Sequence, residues 1–128
     1  MIDHVSIGVK NIARSRAFYD AALEPLGYSL LSHGEESLGY GGDAIRFWVQ
    51  VSRHPVPADE GSGLHFCLVA PSRSAVDAFH AGALARGGVD NGQPGVRTDY
   101  GPTYYAAFVK EPDGYRIEAW CGREEATS

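Results

Sequence analysis

The sequence predicts an α+β fold of two βαβββ modules, in which curved mixed sheets carry their helices on the outer face. Two observations predict it. The chain contains an internal repeat, and each copy passes from an alternating, strand-like segment to a helical segment and then to further alternating segments. With 128 residues, the chain has the size of one structural domain overall.

One constant offset along the chain aligns its two halves without a gap. It pairs His4 with His65 and Phe18 with Phe79. The same offset pairs Val5 with Phe66, Ile7 with Leu68, Ala17 with Ala78, Leu23 with Leu84 and Gly27 with Gly88. Any two strand–helix units share alternation and an Ala-rich helix, but that does not account for paired histidines. We therefore infer a duplication.

The first module is predicted over residues 1–53. Residues 3–9 alternate as a half-buried strand, and residues 12–24 follow a helical period with Asn11 as N-cap. Gly27 ends the helix. Three further strands are predicted at 28–33, 37–41 and 44–52.

The second module is predicted over residues 64–122, after a linker at 54–63 that is rich in proline, glycine and acidic residues. Its strand at 64–70 precedes a helix at 72–87, and the remaining strands are predicted at 95–98, 103–110 and 115–120. Residues 123–128 are predicted to form a tail.

The composition excludes several classes of function. The formal net charge is −5 and the eleven basic residues are scattered, which argues against a nucleic-acid or anionic-membrane surface. No apolar run is long enough to span a membrane, and no leader is recognisable. Cys67 and Cys121 are too few for a disulfide framework and indicate buried thiols. We expect a cytoplasmic protein without a membrane or nucleic-acid partner.

Three polar side chains are predicted on the free faces of the sheets. Alternation places His4 and His65 opposite the apolar residues of the first strand of each module, and it places Glu118 opposite Ile117. Each in isolation is more typical of a hydrogen-bonded or solvated strand residue. Their symmetric placement favours a shared site, because two imidazoles and a carboxylate form a common ligand set for zinc, nickel, manganese or ferrous iron.

Other residues near these positions are given structural interpretations. Cys67 shares a face with His65, but a small buried hydrophobic residue is the better interpretation. His80 occupies the place of Tyr19 in the second helix and is expected at the surface.

Four segments resemble one known family, and together they span nearly the whole chain. They are the opening Asp3–Val9, the helical Ser15–Tyr19, Gly63–Phe66 at the start of the second half and the closing Glu111–Glu118. The sequence resembles the vicinal oxygen chelate superfamily, which includes glyoxalase I, fosfomycin and bleomycin resistance proteins, methylmalonyl-CoA epimerase and extradiol dioxygenases. Glu111 and Tyr115 depart mildly from the closing motif of that family.

The resemblance implies a glyoxalase/bleomycin resistance/dioxygenase-like fold and a divalent metal held by His4, His65 and Glu118. It also implies a substrate that chelates the metal through two neighbouring oxygens, with the metal acting as a Lewis acid. Glyoxalase-type members carry a fourth ligand on the fourth strand. Trp48 stands at about that place here, and an indole is not an ordinary metal ligand. Gln50 is a possible substitute, although a solvated amide is the more common role for such a residue.

Aromatic and basic residues supply the remaining candidates. Arg97 could clamp a substrate carboxylate, and Tyr104 or Tyr100 could hydrogen-bond or protonate an oxyanion near the metal. Trp48, Tyr100 and Tyr105 are candidate substrate-binding residues. Packing within the sheet is an equally good interpretation of the tyrosines.

Two functions follow from these candidates. The first is a metal-dependent lyase, isomerase or dioxygenase that acts on a small molecule with vicinal oxygens at a site of two histidines and one carboxylate. The alternative is a metal-free small-molecule binding protein of the bleomycin-resistance type, whose aromatic residues stack on a planar ligand. We expect a homodimer, with the modules paired either within one chain or between chains.

Overall fold

The computed structural model describes residues 1–56 and 60–123, and their architecture is the predicted pair of βαβββ modules. The first module comprises β1 (Val5–Val9), α1 (Ile12–Leu23), β2 (Ser29–His33), β3 (Ser37–Gly41) and β4 (Ile45–Val51). The second comprises β5 (Phe66–Val69), α2 (Arg73–Ala85), β6 (Val89–Val96), β7 (Tyr105–Lys110) and β8 (Arg116–Cys121). Short 3₁₀ turns lie at Glu24–Leu26 and Glu60–Ser62. The predicted linker and tail fall partly outside the described residues.

Each module forms a four-stranded mixed sheet with the same topology. The strand orders are β1-β4-β3-β2 and β5-β8-β7-β6. The β1–β4 and β5–β8 pairs are parallel, and the other pairs are antiparallel. In the described part of the chain, no helix has the length and apolar character needed to cross a membrane.

Local sequence signals position both helices. The side chain of Asn11 accepts a hydrogen bond from the N–H of Arg14 at 3.0 Å, which confirms it as the N-cap of α1. Ser72 caps α2 in the same way through the N–H of Ala75. Gly27 follows the helical segment with a φ of 88°, a left-handed conformation that favours glycine.

The two modules share one hydrophobic core. It is built from the helices and from the helix-facing side of each sheet, with Tyr19, Tyr40 and Phe79 among its largest buried side chains. The rings of Phe47 and Phe66 meet across the module boundary at 6.2 Å. Because the apolar side of each sheet is used in this core, the other side of each sheet is left available for a binding site.

The turn between β7 and β8 connects the second module to the first. Glu111 in this turn is only 3% exposed. Its carboxylate accepts hydrogen bonds from the Tyr19 hydroxyl at 3.1 Å and from the N–H groups of Asp113 and Tyr115 at 2.5 and 3.1 Å. Burial, which outweighs these hydrogen bonds, raises the pKa of Glu111 to about 7.

Two neighbours of Glu111 extend this contact. The carboxylate of Asp113 accepts hydrogen bonds from the N–H of Lys10 at 3.2 Å and from the guanidinium of Arg14 at 3.1 Å. The Tyr115 hydroxyl donates to the carbonyl of Gly8 at 2.8 Å. The departures from the family motif at Glu111 and Tyr115 therefore lie at the contact between the modules.

β6 begins earlier than the sequence predicted. The strand was expected at 95–98, but it spans Val89–Val96. The segment contains Gly92, Pro94 and Gly95, which are typical of a turn. They are accommodated because β6 is an edge strand and its pairing with β7 has two register irregularities in this segment.

The prediction that His80 lies at the surface is wrong. His80 is 8% exposed, and its Nε2 lies 2.8 Å from a carboxylate oxygen of Asp90. The same oxygen accepts the N–H of Gly92 at 3.0 Å. The histidine therefore joins α2 to the irregular start of β6, a contact between segments that helical periodicity alone does not reveal.

We expect Gly82→Ala to destabilise the protein, although alanine is favoured over glycine in an exposed helix by about 1 kcal/mol. A Cβ at this position of α2 would lie 2.6 Å from the carbonyl oxygen of Ala21 in α1. Because a backbone atom cannot rotate away, overpacking should cost roughly 1–3 kcal/mol. Urea denaturation measures the change, and Gly42→Ala, at a position with open space, is the control. A stabilised Gly82→Ala variant would contradict the close packing of the helices.

We expect Glu111→Gln to flatten the pH dependence of stability. The pKa of Glu111 is raised from 4.5 to about 7, so the folded state retains a proton that the unfolded state releases. The contribution of Glu111 to stability is therefore largest below pH 4.5 and decreases as the pH rises to about 7. The decrease should be on the order of 3 kcal/mol.

Unfolding free energies of wild type and Glu111→Gln at several pH values between these limits test the expectation. Glu35→Gln, which changes an exposed acid, is the control. If the unfolding free energy of Glu111→Gln changes with pH as steeply as that of wild type, Glu111 is not the source of the pH dependence.

Candidate functional site

An open groove of about 650 Å³ lies on the free side of the second sheet. Its walls combine residues from the segment before β5, from β6, β7 and β8, and from the loop before β7. They are Gly63, His65, Asn91, Asp99, Tyr100, Tyr104, Phe108, Arg116 and Glu118. Apart from Gly63, at the end of the predicted linker, the described residues that line this groove come from the second module.

His65 and Glu118 form the polar centre of the groove. Ile117 and Ala119 point into the core, so alternation along β8 directs Glu118 to the opposite side. The His65 Nε2 atom lies 3.2 Å from Oε1 of Glu118, and the Glu118 side chain is only 4% exposed. Metal–ligand bonds of 2.0–2.2 Å place neighbouring tetrahedral ligands about 3.3 Å apart. The spacing and the donor types therefore fit two ligands of one divalent ion.

Tyr104 contacts the other oxygen of the same carboxylate. Its hydroxyl donates to Oε2 of Glu118 at 2.5 Å. Desolvation and then this carboxylate raise the pKa of Tyr104, so the phenol keeps its proton at neutral pH. The Tyr104 ring lies between those of Tyr100 and Trp120, at centroid distances of 5.2 and 5.6 Å. Tyr104, a candidate hydrogen-bond donor from the sequence, therefore lies beside Glu118.

Cys67 is exposed, and the interpretation of it as a buried residue is wrong. It lies on β5, at the edge of the second sheet, where it is directly opposite Glu118 on β8. Desolvation at the sheet surface, followed by the Glu118 carboxylate, raises the pKa of Cys67 to about 12. Cys121, by contrast, is buried as predicted.

His4 lies apart from the His65–Glu118 pair. Its Nδ1 contacts the carboxylate of Asp3 at 2.8 Å, and the other oxygen of that carboxylate is 2.7 Å from the guanidinium of Arg46. The His4 hydrogen bond and then Arg46 lower the pKa of Asp3. Within residues 1–56 and 60–123, no three His, Cys, Asp or Glu side chains of one chain lie close enough together to hold a metal ion.

Strand register places Trp48 at the position equivalent to Glu118. Trp48 pairs with Ser6 on β1 as Glu118 pairs with Cys67 on β5, and Ser6 and Cys67 match in the internal repeat. Trp48 packs over Gly39, where an added Cβ would come within 2.9 Å of the indole. Gln50 lies one pleat further along, opposite Gly8, and is exposed.

Two other candidates contact protein groups outside the polar centre. The Arg97 guanidinium donates to the carbonyls of Gln93 and Gly95 at 2.6 and 2.9 Å and lies 5.4 Å from the Phe108 ring centre. The Tyr105 hydroxyl donates to Asp77 of α2 at 2.6 Å. Tyr105 therefore lies on the helix side of the sheet and not in the groove.

Sequence reasoning did not single out five groove residues as site candidates, namely Gly63, Asn91, Asp99, Phe108 and Arg116. Phe108 pairs directly with Glu118 across β7 and β8, so it shares the face of the carboxylate. Alternation along β7 could have identified it. Asn91 and Asp99 lie on an irregular strand and in a loop, where no periodic signal exists.

Comparisons with known proteins agree with this architecture. The model of the Glyoxalase/Bleomycin resistance protein/Dioxygenase superfamily matches residues 1–119. A glyoxalase/bleomycin resistance protein from Albidiferax ferrireducens is 32% identical, with 95% of this chain and 98% of that chain covered and a TM-score of 0.78. No curated protein matches the chain significantly.

More distant structures share the fold. A glyoxalase-related enzyme from Fulvimarina pelagi is 15% identical, with 94% of this chain and 87% of that chain covered and a TM-score of 0.68. A family enzyme from Burkholderia phytofirmans is 16% identical, with coverages of 95% and 98% and a TM-score of 0.68. The family model spans almost the whole chain, and the chain therefore belongs to the glyoxalase/bleomycin resistance protein/dioxygenase superfamily.

Proposed function

We propose that this protein is a metal-dependent enzyme that acts on a small molecule with two neighbouring oxygens. The observation that carries the proposal is the 3.2 Å approach of His65 Nε2 to Glu118 Oε1 in an open groove. A nearly buried carboxylate beside an imidazole is costly unless a cation or a proton compensates its charge. A divalent metal bound by both groups would provide that compensation.

We infer that His4 reaches the metal from a second copy of the chain. In one chain, His4 contacts Asp3 and does not join the His65–Glu118 pair. The Phe47–Phe66 contact and the Glu111–Tyr19 hydrogen bond join the two modules through the core. A second copy that placed its first sheet over the groove would supply both His4 and Trp48. This arrangement favours pairing between chains over pairing within one.

When bound, the metal would act as a Lewis acid on the chelated oxygens of the substrate. The chain's own groups would bind and orient that substrate. Tyr104 holds a proton at its hydroxyl oxygen and could donate it to a developing oxyanion. Tyr100 and Phe108 offer aromatic surface in the groove, and Trp48 would add to it from the second copy. Arg97 already donates hydrogen bonds to the carbonyls of Gln93 and Gly95. It would bind a substrate carboxylate only through its remaining N–H groups.

The alternative is a metal-free binding protein for a planar small molecule. The aromatic wall of Tyr100, Tyr104 and Phe108 favours it, because stacking on these rings requires no metal. In that case His65 would act as a hydrogen-bond partner of Glu118. Stoichiometric metal in the purified protein decides between the two functions.

Metal content in mixed dimers tests where His4 acts. We expect His4→Ala and Glu118→Gln each to lose most of the bound metal, because each removes one ligand. When the two variants are unfolded together and refolded, half of the dimers contain one of each. One of the two sites in such a dimer is intact if the site is shared, so about one quarter of all sites should bind metal.

Elemental analysis by mass spectrometry measures this recovery. His33→Ala, which changes an exposed strand-end histidine, is the control and should retain its metal. Failure of the mixture to regain metal would indicate that each site is built within one chain. Full metal retention in both single variants would remove the proposed site.

We expect Tyr104→Phe to weaken metal binding by roughly 10- to 100-fold, the usual effect of losing an outer hydrogen-bond partner of a ligand. The variant keeps the ring but loses the hydrogen bond that orients Glu118. Competition with a chelator measures the affinity. The matched control is Tyr105→Phe, which removes a hydroxyl bound to Asp77 on the helix side of the same sheet. Equal losses in both variants would indicate a general effect on stability instead.

A further inference from the structure

We propose that the Cys67 sulfur is a further metal ligand, which takes the place of the ligand that Trp48 cannot supply. The inference rests on the proposed function, since it concerns the metal held by His65 and Glu118. It adds a sulfur donor to a site predicted from nitrogen and oxygen donors alone. Cys67 acts from β5, the strand that pairs with β8, and not from β4.

The position of Cys67 on the second sheet carries the inference. His65 directly precedes β5 and its imidazole contacts Glu118, the residue with which Cys67 pairs, so both side chains lie on the side of Glu118. Strand pairing places Cys67 directly opposite Glu118 on the neighbouring strand, and neighbouring strands lie about 4.8 Å apart. An imidazole, a thiol and a carboxylate thus occupy three adjacent positions on one side of the sheet. This triangle is the arrangement from which three side chains can converge on one ion.

The Glu118 carboxylate lies between the other two groups. Its Oε1 is 3.2 Å from His65 Nε2, and the Cys67 thiol interacts with the same carboxylate and with the Tyr104 hydroxyl. In these side-chain conformations the three groups do not yet gather around one point. Cys67 is exposed, so its single side-chain torsion can turn the sulfur toward an ion beside Glu118.

The buried state of Glu118 is a separate indication of a cation at this point. Its side chain is only 4% exposed, and its ion pair in the described part of the chain is with His65, which is charged only when protonated. On binding, the Sγ–H bond of Cys67 breaks, a sulfur–metal bond forms and the proton passes to solvent. A thiolate ligand favours zinc, cobalt or iron over manganese or magnesium.

Cobalt(II) spectroscopy of the whole protein tests the inference, because thiolate ligation produces an intense near-ultraviolet charge-transfer absorption. We expect this absorption in wild type, its loss in Cys67→Ala and its retention in Cys121→Ala, the control for the buried thiol. Cys67→Ala should still bind cobalt through the remaining ligands, at least about tenfold more weakly. Its affinity for manganese should change less than its affinity for cobalt. Circular dichroism checks that each variant is folded.

The outcomes separate this inference from the proposed function. Cobalt bound by wild type without the charge-transfer absorption, or with an absorption that persists in Cys67→Ala, overturns the role of Cys67 and leaves the proposed function standing. Absence of cobalt binding in wild type, measured by calorimetry, overturns both. Loss of the absorption in Cys67→Ala alone establishes the sulfur as a ligand.

Discussion

Burial of alternate residues along β8 is the constraint on which the candidate site depends. Ile117 and Ala119 are held in the common core, so the backbone of β8 cannot turn without exposing them. Glu118, between them, must therefore face the groove. The same constraint makes Glu118 a buried carboxylate, because its neighbours on β5 and β7 flank it closely. The fold thus creates a costly charge and places His65 and Tyr104 where they stabilise it.

The contact between the modules determines what one chain can do alone. Glu111, Asp113 and Tyr115 join the β7–β8 turn to α1 and to the end of β1. This hydrogen-bonded contact and the shared core set the positions of the two free sheet faces. Within the proposed function, a chain held in this way presents half of a site on each sheet, and a second copy completes each half.

Two side-chain contacts of Glu118 set the polar chemistry of the groove. Glu118 uses one oxygen toward His65 and the other toward Tyr104, so its orientation is set before any ion or substrate binds. Such preorganisation reduces the cost of assembling a metal site. The indole of Trp48, at the equivalent position of the first sheet, offers a packing surface in place of a charge. The duplicated modules have therefore kept one architecture while their equivalent positions have taken different chemical roles.

The sequence by itself determined the duplicated fold and the faces of its strands. The repeat that pairs His4 with His65, and the alternation around Glu118, are local patterns that hold wherever the modules lie in space. Only the tertiary structure placed His80 against Asp90, exposed Cys67 beside Glu118 and separated His4 from the pair. Those outcomes depend on how distant segments pack, and period-two or helical patterns carry no information about the distance between two modules.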